Sequence, residues 1–119
     1  MHEDIVIITK AVPLAMIQKM AKQRFGDFVK AVIDIQKNVM AIHGELHADE
    51  ESILLKYGSQ QKDLRWINLY PDDFGNENRI EFDSLINIRP SMNNRSRSVE
   101  DTKIQKKIQE IVHLLIKKK

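Results

Sequence analysis

The sequence predicts an α+β fold in which an antiparallel sheet of about five strands carries its helices on one face. Two pairs of segments, 28–36 with 39–47 and 64–70 with 79–89, alternate apolar and polar residues as paired strands do. Between and after these pairs, apolar residues recur at helical spacing. The predicted order is strand, helix, hairpin, helix, hairpin, helix. No interior linker divides residues 1–119, which predicts a single domain.

The first half of the chain supplies a strand, a helix and the clearer hairpin. Residues 5–8 form a β-branched apolar run, and Pro13 suits the first turn of a helix that ends near Gly26. The apolar face of that helix comprises Leu14, Ile17, Met20 and Ala21. A two-residue turn at Lys37–Asn38 pairs Ile33 with Ile42, and a one-residue slip would move every apolar side chain to the wrong face.

The second half supplies two helices and the second hairpin. Asp49 is a candidate N-cap for a short helix that Gly58 ends, and Ser98 is a candidate N-cap for the last helix. The apolar stripe of the last helix is Ile104, Ile108, Ile111, Val112 and Leu115. The core-facing residues of the second hairpin are Ile67, Leu69, Ile80, Phe82, Ile86 and Ile88.

Composition excludes several classes of protein. The chain has no cysteine, so disulfides, thiol nucleophiles and cysteine-bound metals are excluded. No apolar run approaches the roughly 18 residues of a membrane span, and the acidic start is unlike a secretory signal. We therefore expect a cytoplasmic protein with no membrane partner. No G-x-S-x-G, G-x-x-x-x-G-K-[ST] or G-x-G-x-x-G motif is present.

Charge is divided unevenly along the chain. Residues 1–88 hold 10 Lys/Arg and 14 Asp/Glu, a net charge of −4, whereas residues 89–119 hold 9 and 3, a net charge of +6. This asymmetry indicates an anionic partner for the last third. A plainer alternative is a solubilising lysine tail that also complements the negative end of a helix dipole.

An arginine-rich segment between the last strand and the last helix is the first candidate site. Arginine forks bind phosphate oxygens in pairs, and a helix N-terminus attracts anions. The candidate ligand-binding residues are Arg89, Asn94, Arg95, Arg97 and Ser98. The predicted function is capture of a phosphate-bearing small molecule or nucleic acid, with no cofactor. The alternative is that these arginines pair with Glu81, Asp83 or Asp101 and only fix the loop.

The polar face of the sheet is the second candidate site. Trp66 and Tyr70 lie on it and suit base stacking, or anchoring of a homodimer. Three possible metal ligands alternate along one strand, and a neighbouring strand adds a fourth, which makes a metal-dependent hydrolase an alternative that metal analysis would test. These residues are His43, Glu45, His47 and Asp83. An ordinary solvated sheet face remains the plainer interpretation.

Several strings in the chain resemble a family of small prokaryotic proteins known only as a domain of unknown function. They lie at 25–32 (FGDFVKAV), 44–51 (GELHADEE), 67–71 (INLYP), 80–84 (IEFDS) and 86–91 (INIRPS), with Asn94-Arg-Ser-Arg97 completing the set. The resemblance covers nearly the whole chain. It implies no activity, cofactor or partner, so no functional residue is transferred from it.

Overall fold

The structure is a computed structural model that describes residues 4–75, 79–82 and 97–117. Within these ranges an antiparallel sheet has the strand order β1-β4-β3-β5-β6, and β2 pairs with β7 in a separate parallel ribbon. The elements are β1 Val6–Ile8, β2 Val12–Pro13, α1 Leu14–Arg24, β3 Val29–Asp34, β4 Val39–Gly44, α2 His47–Tyr57, β5 Leu64–Leu69, β6 Ile80–Phe82, α3 Arg97–Leu115 and β7 Ile116–Lys117. The predicted α+β class with a five-stranded antiparallel sheet is confirmed.

The main core lies between one face of the sheet and helices α1 and α3. Alternate residues of the strands point to the same face, so the apolar sets predicted from the pattern meet there. The sheet contributes Val29, Ala31, Ile33, Met40, Ile42, Ile67, Leu69 and Ile80, and the helices contribute Ile17, Met20, Ala21, Ile108, Ile111, Val112 and Leu115. The predicted face of each strand is therefore confirmed where the structure describes it; Ile86 and Ile88 lie outside the described residues.

Helix α2 packs on the opposite face of the sheet, which corrects the expectation that every helix shares one face. Leu54 of α2 is fully buried with Val32, Ala41 and Leu64 in a second core. The physical reason lies in β3 and β4, because Val32, Val39 and Ala41 point away from the main core and are apolar. These side chains need cover, and the helix that follows β4 provides it.

The first hairpin keeps its predicted faces but closes through a longer turn. Ile33 pairs with Met40 and Asp34 with Val39, so residues 35–38 form the turn instead of Lys37–Asn38 alone. The observed register differs from the predicted one by two residues, an even shift that leaves each side chain on the same face. Asp34 explains the longer turn, since its carboxylate accepts the backbone N–H groups of Gln36 at 2.8 Å and Lys37 at 2.9 Å.

Two helix starts differ from the expected caps. Helix α2 begins at His47 with Leu46 as N-cap, so Asp49 lies in its first turn, where its charge still favours the positive end of the dipole. Helix α3 is described from Arg97, so Ser98 lies within it and does not precede it. The predicted C-terminal glycine of α2 is confirmed, because Gly58 adopts φ 120° and its N–H donates to the carbonyl oxygens of Leu54 and Leu55.

Candidate functional site

A row of polar side chains at helical spacing runs along the second half of α3 and into β7. Lys106, Glu110 and His113 follow one another at intervals of four and three residues, which places them on one side of the helix, and Lys117 of β7 lines the same hollow. All four are exposed, whereas the adjacent apolar stripe is buried in the main core. Lys117 is held by the β2–β7 ribbon, where it pairs with Pro13.

Arg79 comes to the same place from a different element. It lies immediately before β6, and its carbonyl oxygen accepts the Tyr70 N–H at 2.8 Å, which fixes its backbone beside β5. Its guanidinium lies 5.9 Å from the centre of the Phe74 ring, a cation–π contact that orients the side chain. Phe74 itself packs against the main core, so the contact is anchored.

Arg79, His113 and Lys117 form a wall shared by two adjoining hollows. The smaller hollow, about 400 Å³, is completed by Phe74 and Ile116. The larger, about 560 Å³, is completed by Lys106, Gln109, Glu110 and Leu114. We call the two together the basic groove, with Arg79, Lys106, His113 and Lys117 as its nitrogen-bearing side chains. Each volume falls within the range typical of small-molecule sites.

The chemistry of the basic groove suits anions. A guanidinium presents paired N–H donors to phosphate or carboxylate oxygens, and an ammonium adds a mobile point charge. Against these cations the groove carries the one carboxylate of Glu110, among the residues that line it in the described structure. The helix dipole favours basic residues such as His113 and Lys117 near the end of α3. It does not account for the presence of Arg79, which belongs to another element.

Of the arginine-rich segment predicted from the sequence, only Arg97 and Ser98 fall within the described residues. Arg89, Asn94 and Arg95 lie outside the described residues. Arg97 and Ser98 open α3, and at 1.5 Å per residue the helix axis advances about 24 Å from Arg97 to His113. The basic groove therefore lies toward the opposite end of the helix from Arg97 and Ser98.

Trp66 is held by α2. Its Nε1 donates to Glu51 Oε1 at 2.7 Å, and its ring stacks on His47 with 5.0 Å between centroids and 8° between planes. His47 Nε2 in turn donates to the carbonyl oxygen of Ile67 at 2.8 Å. One face of the indole is thus covered by a protein side chain, and Trp66 packs against the second core.

Tyr70 lies beyond α2, at the end of an aromatic row. Its ring is 5.4 Å from Phe28, which stacks on Phe25 at 4.9 Å. Its hydroxyl donates to Glu81 Oε1 at 3.2 Å, and Asn68 Nδ2 donates to the same oxygen at 2.8 Å. Partial burial and the nearby Glu81 carboxylate raise the pKa of the Tyr70 hydroxyl. Trp66 and Tyr70 therefore have different surroundings, although both project from the predicted face.

The predicted metal ligands are distributed over a bulge, a loop and a helix. His43 has φ 77° at an irregularity in the β3–β4 pairing, and its Nδ1 lies 3.0 Å from the carbonyl oxygen of Asp4. Glu45 is exposed beside Arg24, at 3.7 Å, and His47 belongs to α2. No three His, Asp or Glu side chains of the described ranges are arranged to hold a metal ion. Asp83 lies outside those ranges, so the four-residue site stays a prediction.

Glu50 is a buried carboxyl group that the sequence pattern did not single out. It is fully buried on α2, and its Oε2 accepts the Gly44 N–H at 2.8 Å. Burial raises the pKa of Glu50 to about 9, against the lowering effects of the Gly44 N–H and the Lys30 ammonium. A Cβ at Gly44 would lie 2.8 Å from Glu50 Cγ, so the glycine makes room for the acid. The carboxyl is consequently neutral at pH 7.

The basic groove is not predicted by the sequence as a whole, although one of its sides is visible in the helical spacing. The spacing of Lys106, Glu110 and His113 along a predicted helix marks a polar face beside the apolar stripe. The sequence does not predict that Arg79 lies beside that face, because local spacing carries no information on contacts between segments far apart in the chain. Glu50 left no comparable signal, since its burial depends on the close approach of α2 to Gly44.

The fold and the groove together define a small α+β protein with a cationic hollow between a helix and the start of strand β6. The chain belongs to a family described as a protein of unknown function (DUF5674), which matches residues 6–115. The resemblance found in the sequence strings is thereby confirmed. No curated protein and no solved structure matches the chain. None of the helices in the described ranges is long and apolar enough to cross a membrane.

Proposed function

We propose that this protein binds a phosphate-bearing anionic ligand in the basic groove. The observation that supports the proposal is the wall of Arg79, His113 and Lys117, which both hollows share. These side chains come from the start of β6, from α3 and from β7, and two of them are anchored, Arg79 by Phe74 and Lys117 by the β2–β7 ribbon. Such convergence of cations from separate elements is typical of anion sites.

The arginine-rich segment remains a second proposed contact for the same class of ligand. Arg89, Asn94, Arg95, Arg97 and Ser98 would bind an extended anion such as a nucleic acid, for which one groove is too short. The charge of +6 on residues 89–119 supports both contacts. The two contacts are separable experimentally because different residues form them.

Calorimetric titration of the full chain with pyrophosphate tests the groove. Replacing Arg79→Ala together with Lys117→Ala is expected to weaken pyrophosphate binding by at least roughly a hundredfold, since charge-assisted hydrogen bonds contribute about 1.5–3 kcal/mol each and every 1.4 kcal/mol is tenfold. Binding by the unmodified protein should also weaken with added salt. The matched control is Lys19→Ala with Lys22→Ala, which removes the same charge from exposed positions on α1 and should change affinity less than twofold.

A parallel titration separates the groove from the arginine segment. Arg95→Ala with Arg97→Ala should leave pyrophosphate binding intact if the groove is the site, and should abolish it if the segment is. Absence of pyrophosphate and oligonucleotide binding by the unmodified protein would refute the proposal as a whole.

A further inference from the structure

We infer that the basic groove takes a phosphomonoester whose other half is an apolar or aromatic ring, in preference to a polyphosphate or a nucleic-acid backbone. The inference rests on the proposed function, because the same wall of Arg79, His113 and Lys117 would hold the phosphate. What it adds is the chemistry of the two hollows on either side of that wall.

Among the described residues, the lining of the smaller hollow is apolar apart from the shared wall. Beyond Arg79, His113 and Lys117, the described residues that line it are Phe74 and Ile116. Ile116 is only 4% exposed, so the hydrocarbon surface that a ring could contact comes mainly from Phe74, which is partly buried against the main core. A polar group placed here would lose its water without gaining a partner, whereas a ring would gain burial of apolar area.

The larger hollow disfavours a continuous polyanion. Glu110 lines it beside Gln109, so a carboxylate interrupts the cations Lys106 and Lys117. A second or third phosphate extending from the wall into this hollow would meet that charge. A single phosphate at the wall avoids Glu110 and leaves the rest of the ligand to the Phe74–Ile116 side.

The dimensions agree with a ligand of this kind. The smaller hollow holds about 400 Å³, near the lower end of the range for small-molecule sites, and its wall is made of side chains on rigid elements. Phosphate at one end and an apolar ring at the other describe an aryl phosphomonoester such as phenyl phosphate.

Calorimetry with a series of phosphates at constant ionic strength tests the inference. The probes are inorganic phosphate, pyrophosphate, phenyl phosphate and a ten-nucleotide oligothymidylate. Phenyl phosphate is expected to bind at least tenfold more tightly than inorganic phosphate, because only its ring reaches the apolar hollow. Phe74→Leu should reduce that advantage at least threefold and leave inorganic phosphate within twofold. Leu55→Ala, which shortens an exposed apolar side chain on α2 outside both hollows, is the matched control and should change neither affinity.

The outcomes separate the inference from the proposed function. If pyrophosphate or the oligonucleotide binds more tightly than phenyl phosphate, the groove is a polyanion site and the inference is wrong while the proposed function stands. Equal affinity for phenyl phosphate and inorganic phosphate would likewise show that the inference is wrong while the proposed function stands. If no phosphate binds, both are wrong. Should Phe74→Leu fail to fold, nuclear Overhauser contacts between phenyl protons and Ile116 methyl groups in the unmodified protein decide the matter, and their absence at saturation overturns the inference.

Discussion

Glu50 shows how one residue can set the pH response of this fold. In the unfolded chain its carboxyl ionises near the ordinary pKa of 4.5, whereas in the folded protein burial raises the pKa to about 9. The folded state therefore retains a proton across this window that the unfolded state has released. The stabilisation from the protonated acid is complete below pH 4.5 and is lost as the pH rises toward 9.

Glu50→Gln should remove this pH dependence. The amide stays neutral and keeps an oxygen for the Gly44 N–H, so the variant avoids the cost of burying a charge. The unfolding free energy of Glu50→Gln minus that of the unmodified protein is expected to grow by up to about 1.4 kcal/mol for each pH unit between pH 6 and pH 8. Urea denaturation followed by Trp66 fluorescence measures it. Glu110→Gln, an exposed carboxyl of equal charge, is the control, and parallel curves for the two variants would contradict the assignment.

At the scale of the elements, the β3–β4 hairpin shows which features of a sheet a sequence determines. The alternation of apolar residues predicted the buried face of both strands, because side-chain direction repeats every two residues. It did not predict the turn, since an even shift in register leaves that alternation unchanged. The turn depends on the buried Asp34, which accepts two backbone N–H groups and also the Ser59 hydroxyl at 2.5 Å. The Ser59 contact spans 25 residues and has no local signature.

Asp34→Ala is expected to lower the unfolding free energy by about 2–4 kcal/mol, because the buried Ser59 hydroxyl and two partly buried backbone N–H groups lose their acceptor. A double-mutant cycle with Ser59→Ala should give a coupling energy of about 1–2 kcal/mol for the Asp34–Ser59 hydrogen bond. Gln36→Ala is the control, since the backbone N–H of that residue is kept while its exposed side chain is lost, and it should change stability by less than about 0.5 kcal/mol. An Asp34→Ala variant as stable as this control would show that the turn forms without the carboxylate.

The pattern of strands and helices predicts that α2 exists, but not the face of the sheet that it covers. The sequence placed a helix after β4 and its end at Gly58, both of which are confirmed. It did not predict the face on which the helix packs. That face is set by the burial of Val32, Val39 and Ala41, which are apolar although polar residues surround them in the pattern. Trp66 and His47, which the alternation predicts on an open sheet face, instead stack on each other, with His47 as the first residue of α2.

At the scale of the whole molecule, the sheet separates two surfaces with different chemistry. Helix α3 and the basic groove lie on the main-core side, whereas α2, Trp66 and His47 lie on the other. The charge asymmetry of the sequence indicated an anionic partner but not its place. The groove needs Arg79 beside α3, and such a contact between distant segments follows from the packing of the whole chain, not from local spacing.

This separation makes Trp66, the single tryptophan of the chain, a reporter of which surface binds a ligand. A ligand in the basic groove should leave Trp66 emission unchanged at saturation, because the sheet and the main core lie between them and the indole remains stacked on His47. A base that stacked on Trp66 would instead contact the indole directly, and would quench or shift the emission. Titration with phenyl phosphate and with oligothymidylate, monitored by fluorescence alongside calorimetry, distinguishes the two. Heat of binding without a change in emission supports the groove, whereas a change that follows the calorimetric curve would place the ligand on the opposite face.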